Sequence, residues 1–477
     1  MSRRMLGFTL FVSGILRLVQ IDSAPFWYDE GVSTLFSRLP LSDMITATAG
    51  DVHPPGYYLI TWVIDKVGLP TNELTMRLPS VFLSLISIYL VWELAKRFEL
   101  TKGARIAAVA WVAFSPVQLH YAQEARMYAL LQLEVLGLFL LLLDRRWFWF
   151  GVVATMMLYT HNYAVFYLPT LGLVAILRYG GRWKRMLYWL PAFIVPLMLW
   201  LPWLFTLLGQ MQTVAGGYWI QAPTVGSVLF ILYQLLFAYS MPQFVQGLAV
   251  MVTGGLITFS LWKILSTQPE GHRTLLIMSF APLVMAIVAS FVWKPLLLFR
   301  GLIGSSVPLI LLILMGMSQV KVQYKQVYAA IMVAFVVIAG TVGHFKYNAI
   351  NKGRAKEWVN DIAGEYQPGD AVLALNDNGV VAISVYQPTF ELYKVPSCGE
   401  ESLGSLSPAT RKGMGIVEKH VEDLDNERIW FISTIAPVSS WCELETSKQI
   451  IEQYDAELYQ SLEKSEYVNA GVYLIDG

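Results

Sequence analysis

The stretch at residues 106–143 reads IAAVAWVAFSPVQLHYAQEARMYALLQLEVLGLFLLLL and consists of two apolar runs with a short polar turn between them. A helix needs about 20 mainly apolar residues, within a range of roughly 17–25, to cross a bilayer. The turn, His120–Arg126, holds a histidine, a glutamate and an arginine. The stretch therefore predicts two membrane helices joined by a polar turn at the membrane surface.

Similar apolar runs recur outward from this stretch in both directions. The chain of 477 residues is 56% hydrophobic and only 14% charged, whereas soluble domains carry about 25% charged residues. Lipid must therefore be the solvent for much of the chain, and we expect about eleven membrane helices. These are Met5–Ile21, Leu78–Ala95, Ile106–Leu119, Met127–Leu143, Trp147–Thr160, Ala164–Leu177, Leu187–Leu208, Phe244–Leu265, Leu275–Val292, Leu302–Met317 and Val327–Gly343. Two shorter runs, Gly56–Val67 and Val228–Tyr239, predict interfacial helices or half-spans.

Charge divides the chain near His344. The part before His344 has 23 Lys or Arg and 13 Asp or Glu, and the remainder has 11 and 21. No basic stripe or nucleic-acid motif occurs, which excludes nucleic acid as a partner. The sequence thus predicts an all-α polytopic membrane domain at residues 1–345, with a first outer loop at residues 22–77. A small soluble α/β domain follows at residues 346–477.

The distribution of Lys and Arg between the apolar runs predicts the orientation, because cytoplasmic loops are enriched in both. With the N-terminus in the cytoplasm, every inner loop is basic, as at Lys96–Arg105 and Arg178–Arg185. We therefore expect a multi-pass protein of the inner (plasma) membrane. The first outer loop, the turn at His120–Arg126 and the C-terminal domain then lie on the extracytoplasmic side.

The C-terminal domain carries short apolar runs that predict three strands and one helix. The strands are Asp370–Leu375, Arg428–Ile432 and Gly471–Ile475, and the helix is Lys448–Tyr454. The chain has two cysteines, Cys398 and Cys442, both in this domain. An extracytoplasmic location favours a disulfide, whereas two separate thiols are the alternative, because a sequence shows no distance.

Two adjacent carboxylates, Asp29 and Glu30, follow an aromatic cluster just after the first apolar run. A partly desolvated carboxylate has a raised pKa and can accept a proton, as the transfer of a sugar to a hydroxyl group requires. The alternative is a purely structural role, because acidic residues also favour the first turn of a helix.

The second candidate group in the first outer loop is His53, which precedes Pro54-Pro55-Gly56-Tyr57-Tyr58. Proline is well tolerated in the first turn of a helix, and a helix N-terminus attracts phosphate. His53, Tyr57 and Tyr58 are therefore candidate substrate-binding residues. The alternative is an aromatic belt at the membrane interface with a bystander histidine.

The polar turn supplies four more candidates, His120, Glu124, Arg126 and Tyr128. Helical spacing puts His120 and Glu124 on one face, one turn apart. Ionisable residues near membrane depth are costly and usually functional, although a capped turn with a weak Glu124–Arg126 surface pair is the alternative.

His161 and Arg300 end or begin other apolar runs on the same predicted side. An arginine there can bind a lipid phosphate or simply extend to the interface. A divalent metal held by Asp29, His120 and Glu124 is conceivable, but the spacing matches no standard metal motif. No other cofactor is expected.

Several motifs together resemble one known family. They are WYDE at 27–30, HPPGYY at 53–58, RLPS at 77–80 and SPVQLHYAQEARMYAL at 115–130, and they occur in this order. The chain resembles the GT-C membrane glycosyltransferases, in the branch of the protein O-mannosyltransferases and the lipid A aminoarabinose transferases, which includes the ArnT-like (RgtA/B/C/D-like) proteins. The resemblance covers roughly residues 1–345 and is densest over residues 25–165.

The resemblance implies an inverting transfer of a sugar from a polyprenyl-phosphate donor at the outer membrane face to a glycan, lipid or protein. It implies that Asp29, with Glu30 beside it, acts as base or holds the acceptor, and that Glu124 is a further acidic site residue. Some family members bind a divalent metal and others do not.

One departure from the family concerns the phosphate. His53 stands where the aminoarabinose transferases have a phosphate-binding lysine, and a neutral histidine is a poorer partner for an anion. We therefore expect Arg126 and Arg300 to bind the phosphate of the donor.

Two other functions are compatible with a polytopic membrane protein. A transporter or flippase of a lipid-linked sugar is the main alternative, but transporters place charged residues near the bilayer midplane and often have repeated halves. The candidate residues here lie in outer loops, and no internal repeat is visible. A sensor whose acidic C-terminal domain binds a ligand is the third interpretation.

Overall fold

The structure is a computed structural model that describes residues 3–180, 183–215, 220–237, 243–319, 354–396, 406, 408–426, 428–434, 441–464 and 469–476. It consists of helices up to residue 318 and of a mixed α/β region from residue 355 onward. The helices of the first part are α1 Arg3–Leu18, α2 Tyr28–Arg38, α3 Leu41–Gly50, α4 Gly56–Lys66, α5 Glu73–Arg97, α6 Lys102–Phe114, α7 Pro116–Ala122, α8 Tyr128–Leu143, α9 Trp147–Thr160, α10 Ala164–Tyr179, α11 Trp183–Trp189, α12 Pro191–Ala215, α13 Val225–Leu236, α14 Gln243–Thr267, α15 His272–Val292 and α16 Ser306–Ser318, with a 3-10 helix at Phe299–Ser305.

In the described part of the chain, five helical segments are long and apolar enough to cross a membrane: Glu73–Arg97, Pro191–Met211, Val250–Thr267, His272–Val292 and Phe299–Ser318. Four shorter apolar helices accompany them, at Tyr128–Leu143, Trp147–Thr160, Ala164–Tyr179 and Val225–Leu236. The chain is thus a mostly helical multi-pass membrane protein, but the predicted count of eleven spans is not confirmed. The predicted span at Val327–Gly343 lies outside the described residues.

The chain divides into two compact units. The first comprises residues 1–23, 74–206 and 220–351, and the second comprises residues 24–73, 207–219 and 352–477. The second unit therefore combines most of the first outer loop with the C-terminal region.

A buried arginine joins three helices of the first unit. The Arg17 side chain in α1 donates hydrogen bonds to Ser84 Oγ in α5 at 2.7 Å and to the Ala113 carbonyl in α6 at 2.8 Å. Arg17 has no exposed surface. Because an unpaired buried charge is costly, these bonds fix the three helices against one another.

The C-terminal region of the second unit is built on a six-stranded sheet with strand order β3-β2-β1-β4-β6-β5. The strands are β1 Ala371–Ala374, β2 Leu392–Lys394, β3 Val417–Glu418, β4 Arg428–Ser433, β5 Glu457–Lys464 and β6 Asn469–Asp476. The helices are α17 Ala355–Glu365, α18 Asp377–Tyr386, α19 Pro408–Gly413 and α20 Trp441–Gln453, with a 3-10 helix at Val421–Asp423.

Strands β1 to β4 pair in parallel, and β6 pairs antiparallel with β4 and β5. The central strands are buried on both faces, as parallel strands covered by helices usually are. Val372 and Trp430 belong to the apolar cluster on one face, and Leu373 and Phe431 belong to the cluster on the other. The three predicted strands are all strands in the structure, and the predicted helix lies within and just beyond α20. The Cys398–Cys442 pairing lies outside the description, because residue 398 is not described.

Candidate functional site

The candidate residues fall in both units, and we describe each unit by itself. In the first unit, the polar turn begins where Ser115 and Pro116 end α6 and start the short helix α7. Proline cannot continue the preceding helix but suits the first turn of a new one. The single apolar run predicted at Ile106–Leu119 is therefore two helices.

The backbone of the turn is held from two sides. Ser80 Oγ donates to the Glu124 carbonyl at 2.6 Å. Gln123 Nε2 donates to the carbonyls of Arg17 at 2.9 Å and Val19 at 2.8 Å, at the end of α1. Contacts with α5 and with the end of α1 thus hold the backbone of the turn at Glu124 in place.

Glu124 and His120 form the acidic and basic pair of this turn. His120 Nε2 lies 3.6 Å from Glu124 Oε2, one helical turn away, as the sequence spacing predicts. The Glu124 side chain is almost fully buried, with 2% of the residue exposed. A carboxylate held beside an imidazole in a dry environment can orient a polar substrate group or exchange a proton with it.

Aromatic rings connect this pair to the remaining candidates of the first unit. The ring of Tyr121 lies 4.9 Å from that of Tyr128, which lies 5.8 Å from that of His161. The Arg300 guanidinium lies over the Tyr128 ring, 5.8 Å from its centre. The structure therefore brings His161 and Arg300 together with residues of the turn, although 139 positions separate the two in the chain.

His161 lies in the turn between α9 and α10. Its burial, together with the charges of Arg300 and Arg126, lowers the pKa of His161 to about 3. Consistently, His161 Nδ1 accepts a hydrogen bond from the Tyr163 amide at 3.0 Å. The imidazole is therefore neutral near pH 7, with its proton on Nε2. The positive charges of both arginines oppose its protonation.

Close packing next to Arg300 explains the glycine that follows it. A Cβ on Gly301 would lie 2.6 Å from the ring of Tyr163, a separation that real Cβ contacts do not reach. The Tyr163 hydroxyl accepts from the Leu298 amide at 2.8 Å and donates to the Leu296 carbonyl. Gly301 thus lets the segment before α16 lie flat against this tyrosine.

In the second unit, Asp29 and Glu30 lie in the first turn of α2. The structure therefore places both carboxylates at a helix N-terminus, where negative charge is favoured. Glu30 has no exposed surface, whereas Asp29 is half-buried. Of the two, Asp29 is the more accessible to a substrate.

His53, Tyr57 and Tyr58 stand around the start of α4 in the same unit. Tyr57 and Tyr58 are fully buried, and Tyr58 packs edge-on against Phe36 of α2 at 5.2 Å between ring centres. The Tyr58 hydroxyl donates to Asp51 Oδ2 at 3.3 Å. Both tyrosines thus hold the first outer loop together, whatever else they bind.

The sequence analysis missed a buried carboxylate in the C-terminal region. Asp377 follows β1 and begins α18, with 3% of its surface exposed. Its Oδ2 accepts from the Leu406 amide at 2.8 Å and from Arg411 at 3.3 Å. Burial raises the pKa of Asp377, and this effect exceeds the lowering of the pKa by the positive charges of Lys394 and Arg411. The polar pair Asn376-Asp377 directly follows a buried strand, and this pattern in the sequence indicates a candidate site residue at Asp377.

The divalent metal expected at Asp29, His120 and Glu124 stays a prediction. In the part of the chain that is described, no three His, Cys, Asp or Glu side chains lie close enough to hold a metal ion. Of the three expected ligands, His120 and Glu124 lie close together in the first unit, and Asp29 belongs to the second unit. We therefore derive no step through a metal.

Comparisons with known proteins agree with the resemblance noted above. Residues 52–206 match the profile of the family described as dolichyl-phosphate-mannose-protein mannosyltransferase. No curated protein sequence matches the chain.

Solved structures match over nearly the whole chain. ArnT from Cupriavidus metallidurans matches with a TM-score of 0.58 in the apo state, at 14% identity and with 99% of this chain and 97% of that chain covered. The same protein bound to undecaprenyl phosphate matches with a TM-score of 0.61, at 12% identity and over 100% and 98% of the two chains. The arabinofuranosyltransferase AftD from Mycobacteria matches with 0.51, at 13% identity and over 100% and 42%.

Proposed function

We infer that this protein is a membrane glycosyltransferase of the ArnT and protein mannosyltransferase type, because its fold is similar to that of ArnT and residues 52–206 match the mannosyltransferase family. We propose that this protein transfers a sugar, with inversion, from a polyprenyl-phosphate donor to an acceptor at the extracytoplasmic face of the inner membrane. The undecaprenyl phosphate bound to the structurally similar ArnT supports the donor class. The convergence of Arg300, Tyr128 and His161 supports it independently and is the observation on which the proposal depends: the Arg300 guanidinium lies over the Tyr128 ring, whose centre is 5.8 Å from that of His161.

That convergence fits the chemistry of the leaving group. When the bond between the sugar and the phosphate breaks, negative charge grows on the phosphate, and preorganised positive charge lowers the barrier. Arginine suits phosphate because its planar fork of donors matches the phosphate oxygens. We assign Arg126 and Arg300 to this role, with the proton on His161 Nε2 as an uncharged donor and Tyr128 beneath the Arg300 guanidinium.

Glu124 and His120 have a different role in the proposal. A carboxylate beside two arginines would oppose the binding of an anion if it pointed at the phosphate. We therefore assign Glu124 to a hydroxyl group of the transferred sugar, with His120 holding the carboxylate in place.

The acceptor needs a base that removes its proton as the sugar carbon is attacked. We assign this role to Asp29, because it is the accessible member of the carboxylate pair in α2. Glu30 is fully buried and stabilises the helix start, and we propose only a supporting role for it. His53, Tyr57 and Tyr58 form the rest of the proposed substrate-binding surface of the first outer loop.

The full chain in lipid nanodiscs, supplied with radiolabelled undecaprenyl-phosphate sugars, tests the proposal. We expect release of the sugar to water in the absence of an acceptor, and its transfer when cell-envelope extract is added. Movement of intact donor across proteoliposomes without cleavage would instead show a flippase. A chain that neither cleaves nor transfers any donor of the panel would refute the proposed activity.

A further inference from the structure

The start of α2 lacks the usual cap of a helix. Trp27 occupies the N-cap position and makes no capping hydrogen bond with its side chain. An indole nitrogen only donates hydrogen bonds, so tryptophan cannot accept from the amides of the first turn as serine, threonine or aspartate do. The first turn carries the proposed base, Asp29. Contacts from other elements therefore have to fix the place at which α2 begins.

Tyr386, the last residue of α18, supplies such a contact within the second unit. The Phe26 amide donates to the Tyr386 hydroxyl at 2.8 Å, and the two rings stack with their centres 6.2 Å apart. Phe26 immediately precedes Trp27 and lies three positions before Asp29. A hydrogen bond to the main chain is directional. Together with the stacked ring, it fixes the course of the chain into α2.

A buried carboxylate determines the direction of this hydrogen bond. The Tyr386 hydroxyl has one proton, which it donates to Glu73 Oε1 at 3.0 Å. Its lone pairs then remain for the Phe26 amide. Lys356 Nζ lies 3.0 Å from Glu73 Oε1 and 3.2 Å from Oε2, and only 3% of Glu73 is exposed. The lysine thus balances a buried charge that would otherwise be costly.

The rest of α2 contacts the same helix. A Cβ on Gly31 would lie 2.5 Å from Val381 Cγ1. The Arg38 guanidinium, at the end of α2, donates to the carbonyls of Ser384 at 3.0 Å and Val385 at 3.1 Å. Carbonyls in the last turn of a helix lack partners within the helix and favour a positive charge. Contacts before, within and at the end of α2 thus all reach the second half of α18.

We propose that the C-terminal region positions the proposed base, and that Tyr386 is the positioning residue. The Tyr386 hydroxyl, oriented by Glu73, fixes the entry into α2 and thereby the place of the Asp29 carboxylate relative to an attacking hydroxyl group. Tyr386 acts through Asp29 and not on the substrate. The C-terminal region then has a part in the reaction and is not a separate sensor. This inference rests on the proposed glycosyl transfer.

The test compares an attacking group that needs a base with one that does not. Water must lose a proton when it attacks the sugar carbon. Azide has no proton to lose. It forms a bond to the sugar carbon as the bond from this carbon to the phosphate oxygen breaks, which gives a glycosyl azide and undecaprenyl phosphate. The ratio of free sugar to glycosyl azide therefore reports on the base, and it does not depend on the amount of folded protein.

The full chain in nanodiscs receives a radiolabelled undecaprenyl-phosphate sugar and sodium azide. Tyr386→Phe keeps the ring that stacks on Phe26 and removes only the hydroxyl. We expect its ratio of free sugar to glycosyl azide to fall about tenfold, since misplacement of a reacting group by about 1 Å can cost about 10²-fold in rate. Glu73→Gln should also lower the ratio, because an amide can donate to the hydroxyl and then competes with the Phe26 amide. Asp29→Asn is the reference for complete loss of the base.

Tyr366 provides a matched control in the same region. Its hydroxyl accepts from the Glu391 amide at 3.1 Å and donates to the Asp370 carbonyl at 2.6 Å, and its ring stacks on Phe390. These three partners all belong to the C-terminal region. Tyr366→Phe therefore removes a hydroxyl group of the same kind, and it should keep the wild-type ratio even if it lowers stability.

The remaining results would each decide against the inference. A wild-type ratio in both Tyr386→Phe and Glu73→Gln, with the ratio lost in Asp29→Asn, would overturn the inference and leave the proposed function intact. An equal fall in Tyr366→Phe would show general loosening of the region and would also overturn it. If Asp29→Asn keeps the wild-type ratio, or if the wild-type chain cleaves no donor, the proposed function fails, and this inference fails with it.

Discussion

Gly31 of α2 lies so close to Val381 of α18 that a methyl group on Gly31 would come within 2.5 Å of Val381 Cγ1. Valine is branched at Cβ and cannot turn its methyl groups aside cheaply. The absence of a side chain at Gly31 therefore allows the helix that carries Asp29 to seat against the C-terminal region.

This contact predicts the effect of a single methyl group. Gly31→Ala should destabilise the second unit by about 1–3 kcal/mol through overpacking and should lower the rate of sugar transfer. Val381→Ala in the same chain should recover much of both losses, because it removes the clashing atom. Thermal unfolding and turnover of the single and double variants check this, and a double variant no better than Gly31→Ala would contradict the packing described.

Asp29→Asn should abolish transfer and leave the fold intact, since asparagine keeps the shape of aspartate but is a far weaker base. Asp43→Asn is the matched control, because Asp43 is an exposed carboxylate in the first turn of α3. Donor turnover and the melting temperature of both variants are the measurements. Full activity of Asp29→Asn would remove Asp29 from the mechanism.

Glu124→Gln should lower kcat by about 10–10²-fold, because the group that orients a hydroxyl of the transferred sugar loses its charge, and a hydrogen bond to a charged group is worth about 1.5–3 kcal/mol. Melting temperature should change less, because the Ser80 bond goes to the backbone of Glu124 and survives the substitution. Glu99→Gln, at an exposed position of the same unit, serves as the control. If both variants retain wild-type kcat, the Glu124 carboxylate has no part in the reaction.

The neutral state of His161 has a consequence for stability at acidic pH. Its pKa is about 3 in the folded chain, because of burial and two nearby arginines, against about 6.5 for an unfolded histidine. The unfolded chain therefore binds more protons below pH 6.5, and this contribution to stability is lost as the pH falls from about 6.5 toward 3. Melting temperatures measured from pH 8 to 5 should fall less for His161→Gln than for the wild type. An identical slope would contradict this assignment.

Tyr386 joins the two ends of the first outer loop. Its hydroxyl accepts from the Phe26 amide at 2.8 Å and donates to Glu73 Oε1 at 3.0 Å. Lys356 Nζ binds the same carboxylate oxygen at 3.0 Å. Tyr386→Phe should destabilise the second unit by about 1–3 kcal/mol, because a buried carboxylate and an amide lose a partner. Chemical unfolding checks this, with Tyr393→Phe, whose hydroxyl contacts the exposed Glu391, as the control.

Short patterns in the sequence predicted single strands and side chains one helical turn apart. Runs of buried apolar residues located β1, β4 and β6, and the spacing of four residues between His120 and Glu124 placed their side chains on one face. The count of eleven spans does not follow from such patterns, because hydropathy alone does not show where a helix stops. Ser115 and Pro116 divide one of the predicted runs into two helices.

Contacts between distant parts of the chain could not be predicted in the same way. Nothing local to Gly31 indicates that Val381 will face it, and nothing near Asp377 indicates that Arg411 will bind it. Likewise, the sequence suggested Arg300 as a phosphate ligand, but only the structure shows it above the ring of Tyr128. The roles of these residues remain proposals that the experiments above decide.

The Tyr386 hydroxyl binds both Phe26 and Glu73. The ribosome synthesises the segment between these two residues long before it reaches Tyr386. More than 300 residues are synthesised between the segment and Tyr386, and contacts across such a separation form late and slowly. The segment must wait, exposed to proteases and to chaperones, until the C-terminal region has been synthesised. Termination before Tyr386 should thus leave an immature protein whose segment between Phe26 and Glu73 is degraded first.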